Sequence, residues 1–124
     1  MFKEYNANPN GDNIDDCVIR AISFCTNKPY WDVFDELCEI ADTMELEVNS
    51  FAVFNNYLTN NGYEFREFHN KMTVKAVADM FAEYDEKIIL LVKDHLTSVY
   101  KGDTYDTWNC NRFIARFMWI RKEV

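Results

Sequence analysis

The chain has 124 residues, of which 48% are hydrophobic and 16% aromatic, and this supplies the core of one ordinary domain. With 3 Gly and 2 Pro, the composition excludes linker-like and low-complexity chains. Thirteen Lys and Arg against 21 Asp and Glu give a net charge of -8, which disfavours nucleic acid and anionic membranes as partners. We therefore predict a single domain over residues 1–124 whose partners are peptides or proteins, with a preference for basic ones.

The cysteines and the N-terminal segment bear on the compartment. The first 17 residues are polar and acidic, unlike a signal peptide, and no segment approaches the roughly 18 consecutive apolar residues of a membrane span. We expect a cytoplasmic protein whose four cysteines are free thiols. Neither a Cys-x-x-Cys pair nor a His at metal-ligand spacing from a Cys occurs, so we expect no structural metal and no cofactor.

Apolar residues at helical spacing predict three helices in the first half, after an irregular segment over residues 1–16. The first helix starts at Asp15 or Asp16, which suit an N-cap. Its apolar positions are Ile14, Val18, Ala21, Ile22 and Cys25. The second helix has Pro29 in its first turn and ends near Asp42, and the third runs from Asn49 or Ser50 to the stop at residues 60–62.

Strands dominate the second half of the chain. A fourth helix, capped by Thr73, interrupts them, and Lys87–Lys93 has the unbroken apolar run of a central strand. The other predicted strands are Tyr63–Phe68, His95–Tyr100, Thr104–Trp108 and Phe113–Ile120. Helices followed by an antiparallel sheet predict the α+β class.

Cys17 is the most informative thiol, because it lies in the first turn of a predicted helix. Backbone N–H groups and the helix dipole stabilise a thiolate there. Asp15 and Asp16 oppose this effect and Arg20 offsets them only in part, so activation needs a histidine partner. The alternative interpretation is a buried structural cysteine. Cys110 is the alternative reactive thiol, whereas Cys25 and Cys38 are expected to pack on helix faces.

The histidine that could serve Cys17 is His95, and its link to Asp106 depends on the register of one hairpin. With Lys101 and Gly102 as the two turn residues, His95 lies diagonal to Asp106 on one face, at a Cβ separation of roughly 7 Å. With Gly102 and Asp103 as the turn, His95 is out of reach, and a three-residue loop places the two on opposite faces. The other histidine, His69, is expected on the surface.

Several blocks of the chain resemble the small cysteine-peptidase-like proteins of bacteriophages and prophages. The blocks are Asn8-Pro9, Asp16-Cys17-Val18-Ile19-Arg20-Ala21-Ile22, Trp31-Asp32-Val33 with Glu36-Leu37, Asp94-His95-Leu96-Thr97, Tyr105-Asp106-Thr107-Trp108 and Phe117-Met118-Trp119-Ile120. More distantly, the order Cys, His, Asp is similar to papain-like peptidases and to the bacteriocin-processing peptidases of ABC transporters. The resemblance implies a papain-like fold, N-terminal helices on a C-terminal antiparallel sheet, in the cytoplasm of a bacterial host.

The resemblance also implies roles for the candidate residues, namely Cys17 as nucleophile, His95 as general base and Asp106 as the carboxylate that orients it. Papain-like enzymes carry a Gln about six residues before the nucleophile to bind the oxyanion, whereas Gly11 stands at that position here. Asn8, Asn10 and Asn13 are the nearby amides, and we assign the oxyanion role to Asn8 because it keeps the Asn-Pro pair. Losing one oxyanion donor typically costs ~10²–10³ in rate.

These expectations describe a thiol-dependent hydrolase of peptide or isopeptide bonds. The same thioester chemistry also serves deamidation or acyl transfer, and the sequence does not separate them. A second class is a catalytically weak or inactive peptidase-like protein that inhibits a host factor by binding it. The missing Gln favours the binding protein, and a complete Cys-His-Asp set favours the enzyme.

Overall fold

The computed structural model describes residues 1–11 and 15–122, which form an α+β architecture. In chain order, its elements are β1 (Phe2–Glu4), α1 (Cys17–Thr26), α2 (Tyr30–Met44), α3 (Phe51–Asn60), β2 (Tyr63–Thr73), α4 (Val74–Met80), β3 (Ile88–Val92), β4 (His95–Tyr100), β5 (Asp103–Asp106) and β6 (Ile114–Arg121). The α+β class and the predicted helices are confirmed, with ends that differ by a few residues.

The six strands form one sheet in the order β1-β5-β4-β3-β6-β2. β1 pairs with β5 in parallel, and the other neighbouring strands pair antiparallel. The sheet is therefore mixed, and the prediction of an antiparallel sheet preceded by an irregular segment was wrong at β1. Three residues are too few to show strand alternation, so this strand is defined by its partner and not by its own pattern.

Both faces of the sheet are covered. One core joins α1, α2 and α3 to sheet residues such as Ile89, Leu96 and Trp119. The other joins α4 to residues such as Leu90 and Val99. β3 contributes to both cores and lies between β4 and β6, which explains its unbroken apolar run. The helix α1 packs along β4, and Cys17, the first residue of α1, lies near His95, the first residue of β4, at one end of the sheet.

Some element boundaries differ from the prediction. β2 continues through the predicted loop at His69 to Thr73, with a register shift between Glu67 and Met72, because pairing with β6 overrides the local sequence. Thr73 still caps α4 by accepting a hydrogen bond from the Ala76 N–H at 3.1 Å. Ile14, predicted in the first apolar stripe, lies outside the described residues. None of the described helices has the length and apolar character needed to cross a bilayer.

Candidate functional site

Cys17 is the first residue of α1 and Asp16 precedes it at the N-cap position. The Asp16 carboxylate makes no capping hydrogen bond to the helix, so the predicted cap was wrong in its chemistry. Asp16 instead pairs with Arg20, one turn later, and accepts a hydrogen bond from the Tyr30 hydroxyl at 2.6 Å. A buried guanidinium needs an anionic partner, and this need is stronger than the need of a backbone N–H at the helix start for a capping acceptor. The positive end of the helix dipole is therefore left to act on Cys17.

The β4–β5 hairpin decides where His95 and Asp106 lie. Tyr100 pairs with Asp103 and Ser98 pairs with Tyr105, which is the register predicted for a two-residue turn at Lys101 and Gly102. Both turn residues have positive φ, 50° and 86°, as a hairpin turn that matches the strand twist requires. This register is confirmed, and it sets His95 and Asp106 on neighbouring strands at the same end of the sheet.

His95 and Asp106 form a buried hydrogen-bonded pair. The His95 Nε2 lies 2.7 Å from the Asp106 Oδ2, and the two residues are 9% and 5% exposed. Burial alone lowers the pKa of His95, but hydrogen bonds with Asp106, Cys110 and Cys17 outweigh it and raise that pKa. For Asp106, burial acts to raise the pKa, but other contacts outweigh it and the pKa is lowered overall. The hydrogen bond with His95 is the largest of these lowering contributions. The pair is therefore favoured as imidazolium and carboxylate.

The third predicted residue, Cys17, meets the same ring. Its thiol is one of the hydrogen-bonding groups that raise the pKa of His95. The Nε2 atom is engaged by Asp106, which leaves Nδ1 as the ring nitrogen for a second partner. Cys17 and His95 also line the same cleft. The structure thus brings Cys17, His95 and Asp106 together at the junction of α1, β4 and β5.

A second thiol, Cys110, contacts both members of the pair. Its Sγ is 3.8 Å from the Asp106 Oδ2, and the residue is fully buried. Among the described residues, His95, Asp106 and Cys110 offer ligand atoms within 4.8 Å of one another, a grouping that could hold a metal ion. Cys17 lines the cleft and Cys110 does not, so Cys17 is the thiol of the two that faces the cleft. Cys25 lies apart, and burial raises its pKa to about 12.

Asn8, the predicted oxyanion donor, is buried beside Asp16. Its side-chain nitrogen donates to the Asp16 Oδ2 at 3.1 Å and to the Tyr30 hydroxyl at 3.5 Å. Its side-chain oxygen accepts from the Asn10 N–H at 2.9 Å. The amide therefore holds the Asp16 carboxylate in place, and an oxyanion role, which stays a prediction, requires one of these bonds to open. Of the other two amides, Asn10 is exposed and Asn13 lies outside the described residues.

Sequence reasoning gave Arg20 only the role of offsetting nearby acids. In the structure, Arg20 Nη1 pairs with Asp16, while Nη2 lies 3.9 Å from the Asp106 Oδ1 and 3.5 Å from the Thr107 hydroxyl. Burial lowers the pKa of Arg20, and the Asp106 carboxylate acts in the opposite direction. The Asp16–Arg20 spacing of four residues was the available signal for the first pair. The second pair depends on tertiary contacts.

The cleft that contains Cys17 and His95 has a volume of about 380 Å³, within the usual range for ligand sites. One part of its wall is aromatic, formed by Phe51, Phe54 and Phe117. The charged lining is balanced, consisting of Asp15, Asp94, Lys93 and Arg116. The carboxylates of the cleft therefore do not outnumber its Lys and Arg side chains, and the preference for basic partners, inferred from net charge, stays a prediction.

Trp108 covers the His95 ring from the solvent side. The two ring centroids are 4.6 Å apart, and Trp108 itself is 40% exposed. From this contact we expect the indole to limit the access of water to the hydrogen bond between His95 and Asp106, and a hydrogen bond is stronger where water is excluded.

Comparisons with protein families, curated proteins and solved structures give no match. The geometry of the described residues is therefore the basis for the function considered next.

Proposed function

We propose that this protein is a thiol-dependent acyl hydrolase, a cysteine peptidase of phage or prophage origin with a papain-like arrangement of helix and sheet. The observation that carries the proposal is the shared histidine, since His95 contacts the Asp106 carboxylate through Nε2 and also interacts with the Cys17 thiol. A thiol, a basic ring and a buried carboxylate in this order are the parts needed for nucleophilic catalysis. Cys17 and His95 line the same cleft, which gives a substrate access to the sulfur.

The proposed reaction starts from an ion pair in which His95 already holds the proton of the Cys17 Sγ and the sulfur is a thiolate. The thiolate attacks the substrate carbonyl carbon, and backbone N–H groups at the start of α1 stabilise the negative oxygen that forms. His95 returns the proton to the leaving amine, the C–N bond breaks and an acyl-thioester remains on Cys17. Water, losing a proton to His95, then attacks the thioester and releases the carboxylic acid. Throughout, Asp106 orients the ring and compensates its positive charge.

Alkylation of the thiols by iodoacetamide at a series of pH values tests the activated pair. We expect Cys17 to react at pH 5–6, where an ordinary thiol is almost entirely protonated, because His95 holds the proton. His95→Gln should remove this reactivity at low pH. Cys38, a partly exposed cysteine in α2, is the unactivated comparison within the same chain, because burial and the nearby Asp42 and Asp35 raise its pKa. A free cysteine in a short unstructured peptide is the reference thiol, and if Cys17 follows its pH profile, the proposal is wrong.

Hydrolysis itself is tested with a mixture of peptides and an isopeptide-linked peptide, with cleavage followed by mass spectrometry. Cys17→Ala should abolish cleavage, whereas Cys25→Ala, which changes a buried thiol away from the cleft, should keep it. If the mass of the reacting peptide changes by deamidation, the enzyme hydrolyses a side-chain amide and releases ammonia; if it changes by amine transfer, an amine replaces water as the acyl acceptor. Either outcome shows that the peptidase assignment is wrong. Cleavage that survives in Cys17→Ala would assign the nucleophile elsewhere, first to Cys110.

A second candidate function is a peptidase-like binding protein that inhibits a host factor. The observation that favours it is the engagement of the Asn8 amide by Asp16 and Tyr30, which leaves no free side-chain amide from Asn8 for the oxyanion. The two functions differ in their need for the thiol. If Cys17→Ala keeps the biological effect of the protein in the host, binding is sufficient; if the effect is lost, catalysis is required.

A further inference from the structure

Arg20 lies between two buried carboxylates that belong to different parts of the site. Asp16, next to Cys17, is 2% exposed, and Asp106, next to His95, is 5% exposed. The guanidinium is itself 8% exposed and presents Nη1 to the first carboxylate and Nη2 to the second. The planar fork of Arg can serve two acceptors at fixed angles, whereas the single ammonium of Lys cannot. Arg20 therefore joins the start of α1 to the end of β5 by a second route, beside the one that runs from Cys17 through His95 to Asp106.

The contacts on Asp106 show how this link acts on the histidine. Its Oδ1 atom accepts the Thr107 N–H at 2.7 Å and faces Arg20, while Oδ2 faces His95. A carboxylate held at one oxygen by a backbone N–H and a cation has its other oxygen fixed in direction. The order of charges, Asp16, Arg20, Asp106 and protonated His95, alternates in sign. Each buried charge thus has an opposite neighbour, as burial requires.

We infer that Arg20 is a positioning residue that, held by Asp16, fixes the Asp106 carboxylate in the orientation that binds His95 and so keeps the imidazole aligned with Cys17. This inference rests on the proposed function for its chemical purpose. It assigns to the Asp16-Cys17-x-x-Arg20 segment two tasks at once, the nucleophile and the support of the distant carboxylate. Arg20 acts through Asp106 and does not touch the reacting atoms.

Two readouts test the inference in Arg20→Gln and Arg20→Lys. The first is the NMR signal of the His95 Nε2 proton, which reports its hydrogen bond to Asp106 without any substrate. The second is the pH midpoint of Cys17 alkylation. In Arg20→Gln we expect the His95 proton signal to be lost and the midpoint to rise by about one pH unit, equivalent to about a tenfold loss of thiolate at low pH. Arg20→Lys keeps the buried charge and should lose the proton signal while shifting the midpoint less.

The double variant with Asp106→Asn distinguishes positioning from a direct charge effect. If Arg20 acts through Asp106, Arg20→Gln adds no further shift in the Asp106→Asn background. An equal shift in both backgrounds would overturn the inference, as would an unchanged His95 signal in Arg20→Gln. Arg66→Gln is the control, because Arg66 pairs with Glu64 on the exposed side of β2 and should leave both readouts unchanged. If Arg20→Gln does not fold, Arg20→Lys supplies both readouts.

The two proposals fail in different ways. If Cys17 of the unmodified chain shows the alkylation profile of a free cysteine, the proposed function is wrong, and the His95 proton signal still decides whether Arg20 positions Asp106. If Cys17 is activated but Arg20→Gln and Arg20→Lys change neither readout, the hydrolase proposal stands and the role of Arg20 is refuted.

Discussion

The pairing of His95 with Asp106 predicts a specific loss of stability on raising the pH, and His95→Gln is the perturbation that removes it. The pKa of His95 is raised above its ordinary value of 6.5, so the folded protein keeps this proton at pH values where the unfolded chain releases it. The stability contributed by this group is complete below pH 6.5 and is lost as the pH rises toward the folded-state pKa. The lowered pKa of Asp106 adds a contribution that is already complete above pH 3.8 and constant in this range.

The size of the effect follows from the number of protons that differ. The measurement uses Cys17→Ala, because in the unmodified chain a Cys17 thiolate lacks the proton that the unfolded thiol keeps, and this cancels the proton gained by His95. In Cys17→Ala, one proton more in the folded state gives a slope that approaches about −1.4 kcal/mol per pH unit above the unfolded pKa. Because the unfolded histidine is half protonated at pH 6.5, the loss between pH 6.5 and 8.5 sums to about 2 kcal/mol. The assay is urea denaturation followed by Trp fluorescence at half-unit steps of pH over this range.

His95→Gln and Asp106→Asn should both flatten this dependence, because neither variant can form the charged pair. His69→Gln is the matched control, since His69 is exposed on β2 and its replacement should leave the slope unchanged. The reasoning is refuted if the unfolding free energy of Cys17→Ala is constant between pH 6.5 and 8.5. It is equally refuted if His95→Gln keeps the slope.

Three further predictions concern the surroundings of the site. Gly102 has a φ of 86°, which residues with a Cβ adopt only at a cost, so Gly102→Ala should lower the free energy of unfolding in urea by about 1–2 kcal/mol. It should also weaken the His95 proton signal by altering the hairpin turn, and unchanged stability would contradict the prediction. Trp119→Ala should lower the free energy of unfolding in urea by about 3–5 kcal/mol, because the side chain is fully buried and its Nε1 donates to the Asn55 Oδ1 at 2.9 Å. A loss below about 1 kcal/mol would show that the core is misassigned. Trp108→Ala should change the free energy of unfolding by less than about 1 kcal/mol but speed the exchange of the His95 Nε2 proton with water, as measured by NMR. An unaltered exchange rate would show that the indole does not shield this proton.

Much of the fold could be predicted because its elements carry strong local signals. The apolar spacing in α1, α2 and α3 and the uninterrupted run in β3 each match the buried surface that the element provides. β1 and the long continuation of β2 could not be predicted, because their strand character comes from hydrogen bonds to β5 and β6 and not from alternation. The position of β6 between β3 and β2 is equally a result of pairing between distant segments.

The candidate site could be predicted where it depends on one hairpin, and less well where it depends on packing. The turn at Lys101 and Gly102 fixes the relation of His95 to Asp106, so local turn geometry was sufficient. The engagement of Asn8 by Asp16 and the position of Arg20 against Asp106 arise when α1 docks on the sheet, and no spacing in the sequence encodes them. Buried networks of this kind are set by tertiary structure.

The short strand β1 has a consequence for association between chains. By pairing with Thr104, Tyr105 and Asp106 of β5, and with the Tyr5 N–H bonded to the Asp106 carbonyl at 2.8 Å, it occupies backbone groups that would otherwise lie open at the sheet margin. An open margin beside a hydrogen-bonding strand recruits strands of other molecules and leads to aggregation. Three residues thus protect the strand that presents Asp106 from being captured by a neighbouring copy.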